Sequence, residues 1–182
     1  MIDRETALKL MESKIQNKNL RKHILAVEAG MIKLAEHFGE DLELWGRTGL
    51  LHDLDYDVTA NDPEHHTFIT EEWLKDYNLP SEMIRAIRCH PGHAPCQTRM
   101  EWALYAVDPA TGFVVACALM HPSKKLVNID ADFMMRRFGE KRFAAGATRE
   151  NIAACSQLGL ELPEFLMLVR GGMMTIADRL GL

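Results

Sequence analysis

None of the chain's cysteines, Cys89, Cys96, Cys117 and Cys155, stands in a CxxC spacing, and Met1-Ile2-Asp3-Arg4-Glu5 has no signal-peptide character. Together these absences predict reduced thiols in a cytoplasmic protein, with no disulfide framework. No apolar stretch is expected to approach the roughly 20 residues of a membrane span, so no membrane partner is expected. Positive charge is in short supply. The 21 Lys and Arg are outnumbered by 26 Asp and Glu, for a formal net charge of −5, which argues against a nucleic-acid polymer or an anionic membrane as the main partner. A small phosphorylated substrate in a locally positive pocket stays compatible with that balance. Period-2 alternation, internal repeats and low-complexity linkers are missing too, which excludes a sheet and predicts an all-α fold.

What is present is helix signal almost everywhere. The 182 residues suit a single domain, 1–182, long enough to bury a full core. Asp3 to Ile15 reads as a short polar helix, and Asn17-Lys18-Asn19 caps a longer one from Leu20 to Phe38 that Gly39 stops. Asp41 opens the next, which ends at His52-Asp53. Asp62-Pro63-Glu64 has the form of a start signal for a helix to Tyr77, and Pro80-Ser81-Glu82 starts another ending near His90. Pro91-Gly92 and Pro95 mark a loop; Arg99–Met120 is helical, with Pro109 interrupting it. Short helices follow near Asp132–Phe138 and Thr148–Leu158, and a last one spans Leu162–Leu180.

The chemistry concentrates at Gly49-Leu50-Leu51-His52-Asp53-Leu54-Asp55-Tyr56-Asp57. Imidazole nitrogen and carboxylate oxygen both suit borderline divalent metals, so His52 and Asp53 can share one ion. Neighbouring helical residues point about 100° apart, which requires the pair to sit at a helix end with partners arriving from elsewhere. His23 lies on the apolar stripe of its helix, where a histidine is commonly a core residue. In the predicted 62–77 helix His66 points with Ile69, Trp73 and Tyr77, and so is favoured over His65. His90 ends its helix; with His93 and Cys96 it could instead form a small zinc site. Asp108 stands among apolar residues, where a lone carboxylate costs several kcal/mol unless paired or bound to metal.

In order, His23, His52-Asp53, His66, His90 and Asp108 resemble the H…HD…H…H…D pattern of the HD-domain superfamily, and the chain looks most like the stand-alone HDIG-type hydrolases. Asp62-Pro63-Glu64-His65-His66, Leu79-Pro80-Ser81-Glu82 and Ala86-Ile87-Arg88 add to that likeness. The resemblance covers roughly 18–120 as a core, with 121–182 as a helical extension. Departures are Leu54-Asp55 after the His-Asp pair, Pro-Gly-His-Ala-Pro after His90, and Pro109 after Asp108.

The resemblance implies a metal-dependent phosphohydrolase acting on a small phosphorylated compound, a nucleotide among the candidates, by metal-activated water. It implies one or two divalent ions, with Mn, Fe, Ni, Co, Mg and Zn all open. By that analogy His23, His52, Asp53 and Asp108 hold the first ion, and His66 and His90 hold a second with Asp53 bridging. Asp57, one helical turn beyond Asp53, is the first choice for general acid/base work and Asp55 the second. Lys124, Lys125, Arg85 and Arg88 are candidates for gripping the phosphate. Two alternatives share the ligand set: an HD-type di-iron oxygenase, and a metal-stabilised binding module without turnover. Met134-Met135 and Met173-Met174 could supply core packing or a homodimer contact.

Overall fold

Local rules start most of the helices. In the computed structural model, which describes residues 2–182, α1 (Arg4–Lys14) begins where the Asp3 carboxylate accepts from Thr6 N, and α2 (Lys18–Phe38) where the Asn17 side chain accepts from Asn19 N and Leu20 N. α3 (Leu42–Leu51) is capped in the same way by Asp41. Each such cap contributes about 1 kcal/mol. Gly39, at φ 68°, takes the left-handed conformation that ends α2. After α3 come α4 (Tyr56–Thr59), α5 (Phe68–Leu74), α6 (Ser81–Cys89) and α7 (Arg99–Met120). The tail adds α8 (Ala131–Phe138), α9 (Arg149–Ala153), α10 (Leu162–Met174) and α11 (Ala177–Leu180). The fold is all-α, with no strand among the described residues.

Helix α2 is the axis of the packing, touching α3, α7 and α10. A Cβ added at Gly49 in α3 would lie 3.0 Å from Glu28 Cα, so the missing side chain is what lets α3 close onto α2. Between these helices two apolar clusters form. One joins α2, α7, α10 and the tail around Phe113 and Phe165; the other joins α1, α3 and α6 around Met11, Leu51 and Met83. Arg4 clamps α1 to α2 by donating to both carboxylate oxygens of buried Glu28, at 2.7 and 2.8 Å.

Several expectations change. First, α7 is long and apolar enough to cross a membrane by length and composition alone, contrary to the reading that no stretch comes close. More than half of its apolar window is buried inside the protein, so it serves as the central core helix, apolar on several sides because neighbours cover it on several sides. It also runs through Pro109 without a break in the helix.

Second, the 62–77 helix starts late. Asp62 does not cap it, because both its carboxylate oxygens bond the His65 ring at 2.8 and 2.9 Å. Residues 62–67 form turns, α5 begins at Phe68, and a 3₁₀ turn Lys75–Tyr77 follows. Third, Cys89 and Cys96 are not free thiols. The Pro91-Gly92 turn brings their Cα atoms to 5.5 Å and they pair as a disulfide, while Cys117 and Cys155 are free and buried. The last predicted helix also breaks, at Thr175, into α10 and α11.

Candidate metal centre

Helix ends deliver part of the site. His52 is the residue that ends α3, and Asp53 lies in the turn after it, the arrangement that adjacent ligands require. His90 ends α6, His23 comes from α2 and Asp108 from the middle of α7. His66 arrives from the turns before α5, not from a helix face, so its burial has a different origin from the predicted apolar stripe.

These side chains converge. Asp108 Oδ1 lies 3.0 Å from His23 Nε2 and 3.8 Å from His52 Nε2. Asp53 faces two ways: Oδ2 is 3.4 Å from His52 Nε2 and 3.8 Å from His23 Nε2, while Oδ1 is 3.3 Å from both His66 Nε2 and His90 Nε2. Two groups close enough to share an ion emerge, His23 with His52 and Asp108, and His52 with Asp53 and His90.

Each imidazole is held by its other nitrogen. His52 Nδ1 donates to Gly49 O and His90 Nδ1 to Ile87 O, both at 2.7 Å. His66 Nδ1 lies 2.8 Å from Asp55 Oδ1. His23 Nδ1 lies 3.2 Å from Thr111 Oγ1, whose own proton goes to Asp108 O at 2.9 Å, leaving the hydroxyl to accept. With the Nδ1 protons so placed, each Nε2 offers a lone pair inward, as a metal-binding histidine must. His66 Nε2 and His90 Nε2 then oppose each other at 3.2 Å, and buried His52 Nε2 has no hydrogen-bond partner. Opposed lone pairs, an orphaned ring nitrogen and carboxylates among them suit a divalent cation, and the donor set fits one.

The electrostatics agree. Burial alone would raise the Asp53 and Asp108 carboxyls, yet the surrounding imidazoles hold both below the ordinary range. For His66, burial disfavours the charged ring, but Asp53 and Asp55 outweigh it and push the pKa up to about 9. The site thus attracts positive charge, whether proton or metal.

Of the other expected residues, only Asp55 touches the cluster. Asp57 is exposed, and its Oδ2 accepts from Gln16 N at 2.5 Å and Asn17 N at 3.1 Å, tying α4 to the α1–α2 link. Asp55 is fully buried and spends its oxygens on His66 and on Thr70 N, so its carboxylate is not poised for proton transfer to a substrate. Arg85 pairs with Glu101 at 3.0 Å, and Arg88 pairs with Glu71 and lies over the Phe68 ring. Lys124 and Lys125 are exposed in the loop after α7. None of these four cations lines the cavity of about 570 Å³ that opens on His23, Asp53 and Asp108. The His90-His93-Cys96 zinc alternative also fails, because His93 bonds Pro63 O and Cys96 is paired with Cys89.

Sequence reasoning missed Thr111, Tyr56 and Asn151. Thr111 stands three residues after Asp108, a helical spacing that places both on one face. Tyr56 lies within the His-Asp stretch and lines the cavity, its hydroxyl pKa raised by burial and by the Asp53 and Asp108 charges. Asn151, from the tail, gave no signal.

Comparison with known proteins agrees with this geometry. The chain is 29% identical over 94 residues to ribonuclease Y of Desulfotalea psychrophila, a match covering 52% of this chain and 18% of that protein. To ribonuclease Y of Aquifex aeolicus it is 36% identical over 80 residues, 44% of this chain and 14% of the other. Each alignment thus spans less than a fifth of the curated relative. No solved structure matches the chain. The HD domain profile matches residues 20–112, a stretch that begins just before His23, ends just after Thr111 and takes in every clustered side chain; the chain belongs to the HD-domain family, generally one of metal-dependent hydrolases.

Proposed function

We propose that this protein is a metal-dependent phosphohydrolase acting on a small phosphorylated compound, with a nucleotide as the leading candidate. The observation that carries the proposal is the division of Asp53, with one oxygen toward His23 and His52 and the other toward His66 and His90. In this reading His23, His52, Asp53 and Asp108 would hold one ion, and His66 and His90, with Asp53 between the two positions, would hold a second. Bound there, divalent ions supply Lewis-acid charge and lower the pKa of water. The chain's own residues fix the imidazole tautomers through Gly49, Ile87, Asp55 and Thr111, and the cavity beside Asp108 leaves room for the rest of a substrate.

Its test is elemental analysis of protein purified without added metal, followed by phosphate release from a panel of nucleotides and simple esters. Two ions per chain and turnover that a chelator abolishes are expected. Full occupancy with no turnover on any ester would leave a binding module, and redox-active iron would support the oxygenase reading.

A second reading has an observation of its own. The relatives named ribonuclease Y suggest a phosphodiester of RNA as the bond cleaved. The net charge of −5 favours the small compound. Cleavage of a short single-stranded RNA faster than any mononucleotide would reverse that preference.

A further inference from the structure

Part of the cavity wall comes from the tail, beyond the family match. Ala144, Gly146, Ala147, Thr148 and Asn151 line it together with Leu20 of α2 and Pro109 of α7. This wall is held firmly. The Arg149 guanidinium donates to four carbonyls around it: Phe138 at 3.2 Å, Phe143 at 2.6 Å, Ala144 at 3.3 Å and Ala147 at 2.8 Å. It also sits 4.7 Å from the Phe113 ring centre, so the loop is anchored to the core helix. A wall fixed in this way can orient what it touches.

Tyr105 Oη donates to Asn151 Oδ1 at 3.0 Å, an arrangement that leaves the amide NH₂ without a partner among the described residues. Thr148, exposed at the start of α9, makes no capping hydrogen bond with its side chain. Apart from the cluster itself, the cavity lining among the described residues carries no full charge. Next to a site suited to phosphate there is thus a region of apolar surface with an amide donor and a hydroxyl, in a volume typical of small-molecule pockets.

We propose that Asn151 and Thr148 are specificity-determining residues that bind the uncharged, acceptor-rich nucleoside part of a nucleotide whose phosphate faces the metal cluster. The inference rests on the phosphohydrolase reading above and extends it to the part of the substrate that does not react. Asn151 donates its N–H groups to a base carbonyl or ring nitrogen, or to a ribose oxygen. Tyr105 acts through Asn151 as a positioning residue.

The test is calorimetric titration of Mn²⁺-loaded protein with inorganic phosphate and separately with nucleoside 5′-monophosphate analogues in which a P–CH₂ bond replaces the ester oxygen, so that the nucleotide is not hydrolysed. The wild type is expected to bind at least one nucleotide about tenfold more tightly than phosphate, a difference of roughly 1.4 kcal/mol. Asn151→Ala should weaken that nucleotide by about tenfold and leave phosphate unchanged, with Thr148→Val and Tyr105→Phe each giving about threefold. Far-UV circular dichroism shows which variants fold, and Thr148→Val carries the test if Asn151→Ala does not. Nucleotides that bind no better than phosphate, or folded variants that bind them like the wild type, would overturn the proposal. A metal-loaded wild type that ignores inorganic phosphate would remove the phosphohydrolase reading beneath it, and the proposal with it.

Discussion

Asp55 Oδ1 lies 2.8 Å from Nδ1 of His66, and the same carboxylate accepts from Thr70 N at 3.0 Å in the first turn of α5. One buried side chain therefore orients an imidazole of the cluster and caps the helix that follows it. The turns 62–67 cannot hold His66 by helical hydrogen bonds, so Asp55 does that work from outside. Asp55→Ala is expected to lower affinity for a second ion by about 10–100-fold while the first stays bound. Mn²⁺ titration by calorimetry checks this, and two sites of unchanged affinity would refute it.

The raised His66 pKa sets a pH dependence. In metal-free protein the folded-state value of about 9 exceeds the ordinary 6.5, because Asp53 and Asp55 outweigh the cost of burial. Protonated His66 therefore stabilises the metal-free fold fully below pH 6.5, and that contribution is lost as pH rises through about 9. Chelated protein should lose thermal stability across this window, whereas loaded protein should not, since the ion replaces the proton. A flat profile for the chelated protein would contradict the pairing.

Asp57 belongs to the scaffold. Because its carboxylate accepts from Gln16 N and Asn17 N, Asp57→Ala should cost about 1–3 kcal/mol of stability. Metal binding and kcat should be unchanged at temperatures where the variant is folded. Denaturant unfolding and phosphate release measure the two effects separately; a large fall in kcat of folded protein would restore the catalytic expectation.

Lys124 and Lys125 offer a complementary check. Both are exposed outside the cavity, so replacing them together with Ala should change kcat/KM by less than about threefold, the range of ordinary surface substitutions. A tenfold rise in KM alone would mean that this loop reaches the substrate.

The sequence by itself determined the elements whose causes lie within a few residues. Asp3, Asn17 and Asp41 cap helices because their side chains reach backbone N–H groups two or three positions on, and Gly39 ends α2 because it tolerates positive φ. It also contained the ordered set of His and Asp residues that the fold gathers, since ligand chemistry is written in residue type. Only the tertiary structure decided how competing partners were chosen. Asp62 had a capping pattern but was taken by His65; Asp57 was preferred to Asp55 for acid/base work, yet Asp55 is buried against His66 and Asp57 bonds the backbone of the α1–α2 link. Arg85 and Arg88 were engaged by Glu101 and Glu71, and Asn151 reached the cavity from the tail. Such choices depend on which helices lie side by side, and that is set by burial of the whole apolar core, not by any local stretch of chain.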